Sequence, residues 1–281
     1  MSELKWIYYE ENSSVFFPSL KTLSLNCCPK LRGWRRRGDY NKESDTGDHL
    51  SLPLSFSCLS HLEIWNCPSM TCMPTFPHLD GWLRLSKCSM KPLKDTCLVG
   101  AESSTLYPLS SLRSLSIGYN EDIESMPEEW MQNLKSLQRL CIMGFSVITS
   151  LSRQLQHLPS QLQSLSVSEV NELDVLWKQD EDDECIQCEA SFYCLRSLQT
   201  ISFDYCPDMK ALPEQIGKLQ SLKHFNISYC NKLESLPEAM LHLSNLQTLE
   251  IEGCRMLGER CKAETGQDWP KIAHTPSIHI S

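Results

Sequence analysis

Leu222-Lys-His-Phe225-Asn-Ile227-Ser-Tyr-Cys230-Asn-Lys-Leu233-Glu-Ser-Leu236-Pro237-Glu-Ala-Met240-Leu-His-Leu243 recurs on both of its flanks. Twenty-four residues upstream stands Leu198-Gln-Thr-Ile201-Ser-Phe203-Asp-Tyr-Cys206, continued by Met209, Leu212-Pro213-Glu, Ile216 and Leu219. Twenty-four residues downstream comes Leu246-Gln-Thr-Leu249-Glu-Ile251-Glu-Gly-Cys254, then Leu257. Apolar residues, a Cys and, in two of the three, a Leu-Pro step fall at the same offsets. A fixed period of this kind means stacked supersecondary units.

The spacing is that of a leucine-rich repeat, and it has a physical cause. In Leu-x-x-Leu-x-Leu the last two apolar residues alternate, so one face of a short strand is buried and the other wet. At the following Cys or Asn the chain leaves the strand and turns inward. Asn can bond free backbone groups there, and Cys fills the place as a small buried hydrophobe. Leu236-Pro237-Glu238 then starts the return path. Pro and an early Glu suit the first turn of a short helix whose apolar side is Met240 and Leu243. One repeat cannot bury these side chains alone, so neighbours must stack. The expected fold is an α/β leucine-rich-repeat solenoid, a horseshoe with a parallel β-sheet on the concave face and short helices or irregular turns on the convex face.

Working outward, about nine irregular repeats fill residues 1–281 as a single domain. Residues 1–15 read as the worn end of an earlier repeat, with an apolar cluster at Trp6, Ile7, Tyr8 and Tyr9. The first clear repeat holds Leu20, Leu23, Leu25 and Cys28. An insertion near 32–50 follows, opening with Gly33-Trp34-Arg35-Arg36-Arg37-Gly38 and read as a loop on one flank. Later repeats carry Leu59, Leu62, Ile64 and Cys67, then Leu83, Leu85 and Cys88, with Leu79 one residue out of register. Leu112 to Met126-Pro127-Glu128, with Trp130, Met131 and Leu134 on its return path, makes the fourth. Leu137 to Leu151, with Ile148, makes the fifth, and Leu162 to Leu176, with Leu173, the sixth. A second, acidic insertion lies near 177–191. The tail 258–281 lacks the repeat and is expected to cap the stack with Trp269, Ile272, Ile278 and Ile280.

The net charge of −9 argues against nucleic acid or an anionic membrane as the main partner. Residues 1–140 hold 15 Lys/Arg against 16 Asp/Glu and the remainder 11 against 19, so the excess of acid is C-terminal. Of 15 Cys, six (Cys28, Cys67, Cys88, Cys206, Cys230, Cys254) take the turn position, each serving its own rung. They read as reduced thiols. Glu3, Lys5, Glu10 and Glu11 leave no apolar signal-peptide core, and no apolar run nears the roughly 20 residues of a membrane span. A soluble protein of the cytoplasm or nucleus is expected. Asn12-Ser-Ser14 and Asn226-Ile-Ser228 fit the glycosylation pattern and should stay unmodified there.

No catalytic constellation stands out. There is no His-Glu-x-x-His and no Gly-x-Ser-x-Gly, so the expectation is no enzyme and no catalytic residue. Cys185-x-x-Cys188 with Cys194 offers three thiols without a His close by, and reads as free thiols rather than zinc ligands. The solvent face of the sheet is the better candidate. Its columns include Trp65, Arg84, Tyr119, Asp204, Tyr205, Asn226, Tyr229 and Glu250. Aromatics such as Tyr205 and Tyr229 supply large contact area at low entropic cost to a protein partner.

The Cys-rich repeat, the Leu-Pro-Glu step and the tail Arg260-Cys-Lys-Ala-Glu-Thr-Gly-Gln-Asp-Trp-Pro-Lys-Ile-Ala-His274 resemble plant disease-resistance proteins of the coiled-coil, NB-ARC, leucine-rich-repeat class. Packing alone does not dictate the order of residues in that tail. The resemblance covers essentially the whole chain, but only the C-terminal repeat region of such a receptor. It implies recognition of a pathogen effector or of the host target it modifies, and restraint of the attached nucleotide-switch domain. Arg35, Arg36 and Arg37 are the candidate contact to that NB-ARC domain. The chain has no Gly-x-x-x-x-Gly-Lys-[Ser/Thr] loop; Gly217-Lys218 is followed by Leu219. ADP or ATP would therefore enter only through an NB-ARC domain absent from these residues, and no cofactor is expected on the chain itself. The alternative is a stand-alone repeat scaffold or decoy with no switch attached.

Overall fold

Alternation decides the strands. In Thr200–Asp204, His224–Ser228 and Thr248–Glu252 the second and fourth residues are buried, the pattern of a strand with one wet face. A computed structural model describes residues 3–9, 17–36, 56, 58–73, 79–91, 93, 109–120, 133–145, 159–170 and 195–281. The chain forms two compact units, Met1–Ile123 with Asn133–Ser136, and Glu124–Gln132 with Leu137–Ser281.

In the first unit β2 (Thr22–Asn26), β4 (His61–Cys67), β5 (Trp82–Cys88) and β6 (Ser114–Gly118) lie parallel, each beside the next in sequence. The register aligns Leu23, Leu62, Leu83 and Leu115 in one row and Leu25, Ile64, Leu85 and Ile117 in another. In the second unit β7 (Arg139–Met143), β8 (Ser164–Ser168), β9 (Thr200–Asp204), β10 (His224–Ser228), β11 (Thr248–Glu252) and β12 (Ser277–Ile280) do the same. Their rows are Leu140, Leu165, Ile201, Phe225, Leu249, Ile278 and Ile142, Val167, Phe203, Ile227, Ile251, Ile280. Parallel strands paired in sequence order, one per repeat, make the leucine-rich-repeat solenoid.

The return paths hold the short helix the sequence asks for, as 3-10 turns at Glu214–Lys218 and Glu238–His242, each preceded by Pro213 or Pro237. Ile216, Leu219, Met240 and Leu243 are buried beneath them. Neither Pro caps the orphan N–H groups. Glu214 of one repeat does so for the next, accepting from the backbone of Glu238 (3.2 Å) and Ala239 (2.9 Å). Gly217 permits the close approach, since a Cβ there would lie 2.7 Å from the Ala239 carbonyl oxygen.

Two readings are corrected. Gly33-Trp34-Arg35-Arg36 is not the start of a loop. It is β3 (Gly33–Arg36), pairing in parallel with β1 (Trp6–Tyr9), and Trp34 is 2% exposed, edge-on to Phe56 with centroids 6.0 Å apart. Tertiary pairing and the burial of Trp34 outweigh the local charge. The apolar cluster at 6–9 therefore does not extend the row of β2. Gly33 itself, at φ +138°, bridges Cys72 so closely that a Cβ would lie 1.9 Å from the Cys72 carbonyl oxygen.

The tail, for its part, does carry a strand. Ser277–Ile280 adds β12 to β11 in register, with Ile278 beside Leu249 and Ile280 beside Ile251. Ile272 is fully buried and Trp269 half-buried. Packing also explains part of the tail's residue order. Asp268 is fully buried between α1 (Arg255–Arg260) and α2 (Trp269–Ile272), and Arg260 grips both its carboxylate oxygens at 3.0 Å. Lys271 Nζ (3.0 Å) and the Leu236 N–H (3.0 Å) complete the set. Burial opposes ionisation of Asp268, yet these donors hold its carboxyl below the ordinary range. Lys271 also donates to the Leu236 carbonyl at 2.6 Å, tying the tail to the preceding Leu-Pro step.

Several expectations fall outside the described residues: Arg37 with the rest of the insertion to 50, the insertion 177–191, Cys185, Cys188, Cys194 and Asn12. So do Met126, Pro127, Glu128, Trp130, Met131, Ile148, Leu151, Leu173 and Leu176.

Candidate functional site

Two residues beyond the second inward-facing apolar residue of β2 and of each strand from β4 to β11, the backbone is left-handed. In the first unit these are Cys27, Asn66, Lys87 and Tyr119, at φ between 49° and 54°. In the second they are Gly144, Glu169, Tyr205, Tyr229 and Gly253, between 51° and 61°. For an L-residue this conformation costs about 1–2 kcal/mol. It swings the chain inward and aims the N–H at the next repeat. Tyr205 thus donates to the Ser228 carbonyl (2.9 Å), Tyr229 to Glu252 (2.8 Å) and Glu169 to Asp204 (2.9 Å).

The next residue is buried and closes the turn. Asn120 accepts from the Cys88 N–H (3.0 Å) and donates to the Leu85 carbonyl (3.3 Å). Cys206, Cys230 and Cys254 make weaker versions of the same link through sulfur, Cys230 donating to the Phe203 carbonyl at 3.8 Å while its N–H meets Cys254 Sγ at 3.2 Å. Cys here is therefore a polar spacer as well as a hydrophobe. Hydrogen bonding to the Cys206 and Cys254 sulfurs raises the Cys230 thiol, and burial pushes Cys67 up to about 11 and Cys261 up to about 12. The same hydrogen bonds from Cys230 lower the Cys206 thiol, and lower Cys254 to about 7, while all of these sulfurs stay enclosed in the turns.

Of the sequence-predicted surface residues, the second unit brings most together. Ser202, Asn226 and Glu250 share one row, and Asp204, Ser228 and Glu252 the next. Asn226 is half-buried and tied to its neighbours, donating to Ser202 Oγ (3.3 Å) and accepting from the Ser228 hydroxyl (3.0 Å). The rings of Tyr205 and Tyr229 stack at 4.4 Å with an interplanar angle of 13°. Tyr229 covers Gly253, where a Cβ would lie 2.5 Å from the ring, and its hydroxyl donates to Glu252 at 2.9 Å. That bond, with the Glu252 charge, raises the Tyr229 hydroxyl. Tyr205 remains half exposed, at 50%. Burial raises the Asp204 carboxyl, helped by the charges of Glu252 and Glu169.

The first unit is arranged differently. Trp65 is exposed, whereas Arg84 faces Glu63 (3.5 Å), which also accepts from Ser24 (3.0 Å). Lys87 lies over the Tyr119 ring at 5.3 Å. Arg84, Lys87 and the Tyr119 ring are thus engaged within the unit, while Trp65 stays exposed. Arg35, read as an intramolecular contact to a switch domain, lies over the Trp6 ring at 5.2 Å on the β1–β3 side, and Arg36 is in the same strand.

Sequence reasoning placed Tyr119, Tyr205 and Tyr229 in one column with Glu252 in the column beside it, but missed Glu169 and the left-handed backbone that the column shares. Gly144 and Gly253 at the same offset were the available signal. A cavity of about 640 Å³ at the C-terminal end lies between Arg255, Gly258, Glu259, Trp269, Ile278 and Ile280. Among the described residues no three His, Cys, Asp or Glu are grouped to hold a metal ion, and no helix is long and apolar enough to cross a membrane.

No family model matches the chain, and no curated protein matches it. Among solved structures 137 chains match. One is described as "Crystal structure of TLR13-ssRNA13 complex"; it is 17% identical, with a TM-score of 0.43, over 90% of this chain and 42% of that one. The chain thus spans less than half the length of that protein. The fold assignment rests on the strand register given above.

Proposed function

We propose that this chain is a protein-recognition module, the leucine-rich-repeat region of an intracellular plant immune receptor. In this reading it senses a pathogen effector, or the host protein that effector modifies, and restrains an attached NB-ARC switch domain. The observation that carries the recognition half is the Tyr205–Tyr229 stack, an exposed Tyr205 ring backed by a half-buried Tyr229 that Gly253 and Glu252 hold in place on the wet face of a parallel sheet. Rigid, amphipathic rings lose little entropy on contact, which suits them to anchor a protein partner.

What supports the receptor half is the resemblance of the tail Arg260–His274 to coiled-coil NB-ARC leucine-rich-repeat proteins. In such a receptor nucleotide would bind the switch domain and the repeats would read the partner. The test is the native transcript. An open frame upstream of Met1 encoding a Gly-x-x-x-x-Gly-Lys-[Ser/Thr] loop is the expected result. An in-frame stop directly upstream would overturn the receptor reading and leave a stand-alone scaffold or decoy.

A further inference from the structure

We infer that the Tyr205–Tyr229 stack and the carboxylates around it form a docking surface for a cationic polypeptide segment that presents an arginine. The inference rests on the reading of this face as a recognition surface and names the chemistry of its occupant. Tyr229 is sandwiched, with Gly253 under one face and Tyr205 on the other. Tyr205 is 50% exposed, and with Tyr229 stacked on one face a guanidinium can stack only on the other. In the left-handed column the neighbour on that side is Glu169, whose N–H bonds the Asp204 carbonyl. Asp204 precedes Tyr205, and Glu252 holds the Tyr229 hydroxyl. The ring faces and three carboxylates therefore share one patch.

Charge complementarity chooses the occupant. Among the described residues neither Asp204 nor Glu252 has a cationic partner, and burial of Asp204 beside Glu252 and Glu169 raises its carboxyl. Such a group of carboxylates gains from an incoming cation and loses from an anion. Residues 141–281 as a whole carry 19 Asp/Glu against 11 Lys/Arg, which favours approach of a basic segment. A guanidinium fits better than an ammonium. It is planar, stacks on a tyrosine face, and binds a carboxylate with two parallel hydrogen bonds. The first unit shows the internal version of the same pairing, Lys87 over Tyr119.

The test titrates the full chain with a tetra-arginine peptide at physiological salt, with tetra-lysine as comparison, following chemical shifts or calorimetry. The arginine peptide should bind several-fold more tightly than the lysine peptide. Tyr205→Ala should remove about two- to fivefold of its affinity. Asp204→Asn with Glu252→Gln should weaken both peptides by about tenfold or more. Tyr205→Gly, which suits the left-handed backbone, serves as a second variant should Tyr205→Ala fold poorly. Equal binding of the two peptides with no loss in either tyrosine variant would mean generic attraction and overturn the inference. Loss in the tyrosine variants without loss in the carboxylate variants would equally overturn it, leaving an uncharged aromatic contact. No binding of the arginine peptide, together with an upstream frame that encodes a phosphate loop, would sink this inference while the receptor reading stands.

Discussion

The two ends of the described coils are finished by opposite means. Toward the N-terminus the return side is closed by the β1–β3 pair, Trp34 is enclosed, and Gly33 sits against Cys72. The sheet side is not closed to the same degree, because Leu23 and Leu25 of β2 stay half-buried. Toward the C-terminus the sheet side is closed. β12 covers β11, leaving Leu249 and Ile251 at 1% exposure or less, and the Asp268 network ties the tail to Leu236. A repeat has two open edges, and covering one does nothing for the other.

The largest expected effect lies inside the well-covered end. Phe225 is 1% exposed and packs edge-on against Phe203, with centroids 6.1 Å apart. Phe225→Ala should lower stability by about 3–5 kcal/mol, read as a fall in the denaturation midpoint with the slope unchanged. The matched pair Leu249→Ala and Leu23→Ala sharpens the contrast, since both residues hold the same place in the repeat. Leu249→Ala should cost about 2–4 kcal/mol. Leu23→Ala, at a residue that is only half-buried, should cost about 1 kcal/mol. Equal losses at the two ends would show β2 to be as well covered as β11, and the comparison would fail.

The difference between the ends also marks what was legible in the sequence. Strand positions, their rows and the turn Cys follow from a local period, so Leu249, Ile251 and Cys254 could be placed from spacing alone. The β1–β3 pair could not. Its partners stand far apart in sequence, and Trp34 is hidden among three Arg that read as a solvated run. Glu214 is another such case, since its carboxylate serves the helix start one repeat later. The Arg260–Asp268–Lys271 set was quoted for its residue order without its physical reason. The charges close a buried cap, and only the fold shows that Asp268 is enclosed. On the surface, the tyrosines were visible as a column, but the left-handed backbone they share was not, although Gly253 at the same offset signals it.

Asp268 supplies the next prediction. Asp268→Asn keeps the shape and removes the charge that Arg260 and Lys271 bond, at a cost of about 1.5–3 kcal/mol near neutral pH. The folded-state pKa of Asp268 is lowered, so its contribution is present above the ordinary carboxylate value of 3.8 and lost as pH falls below it. Stability curves of the parent and Asp268→Asn should therefore converge on acidification. Asp204 has the opposite sign, because its folded pKa is raised. Ionising it works against folding, so Asp204→Asn should be neutral or slightly stabilising at pH 7, with the difference vanishing in acid. Parallel curves for Asp268→Asn would mean that the carboxylate's charge contributes nothing to the cap.

The smallest effect tests the exposed column itself. Tyr205 bears a strained φ of 51° and a ring that is half in water, so two modest terms oppose each other. Tyr205→Ala loses the stack, worth about 0.5–1.5 kcal/mol, and keeps the strain. Tyr205→Gly loses the same stack but relieves the left-handed backbone, a gain of about 1 kcal/mol over Ala. Gly should thus be more stable than Ala at this position, the reverse of the order expected inside a strand or helix, where Gly is the worse residue. Chemical denaturation of the two variants side by side decides it. Ala equal to or above Gly would mean that the turn relaxes once the ring is gone, and that the tyrosine stack, rather than the hydrogen bond from its N–H to Ser228, holds the column in place.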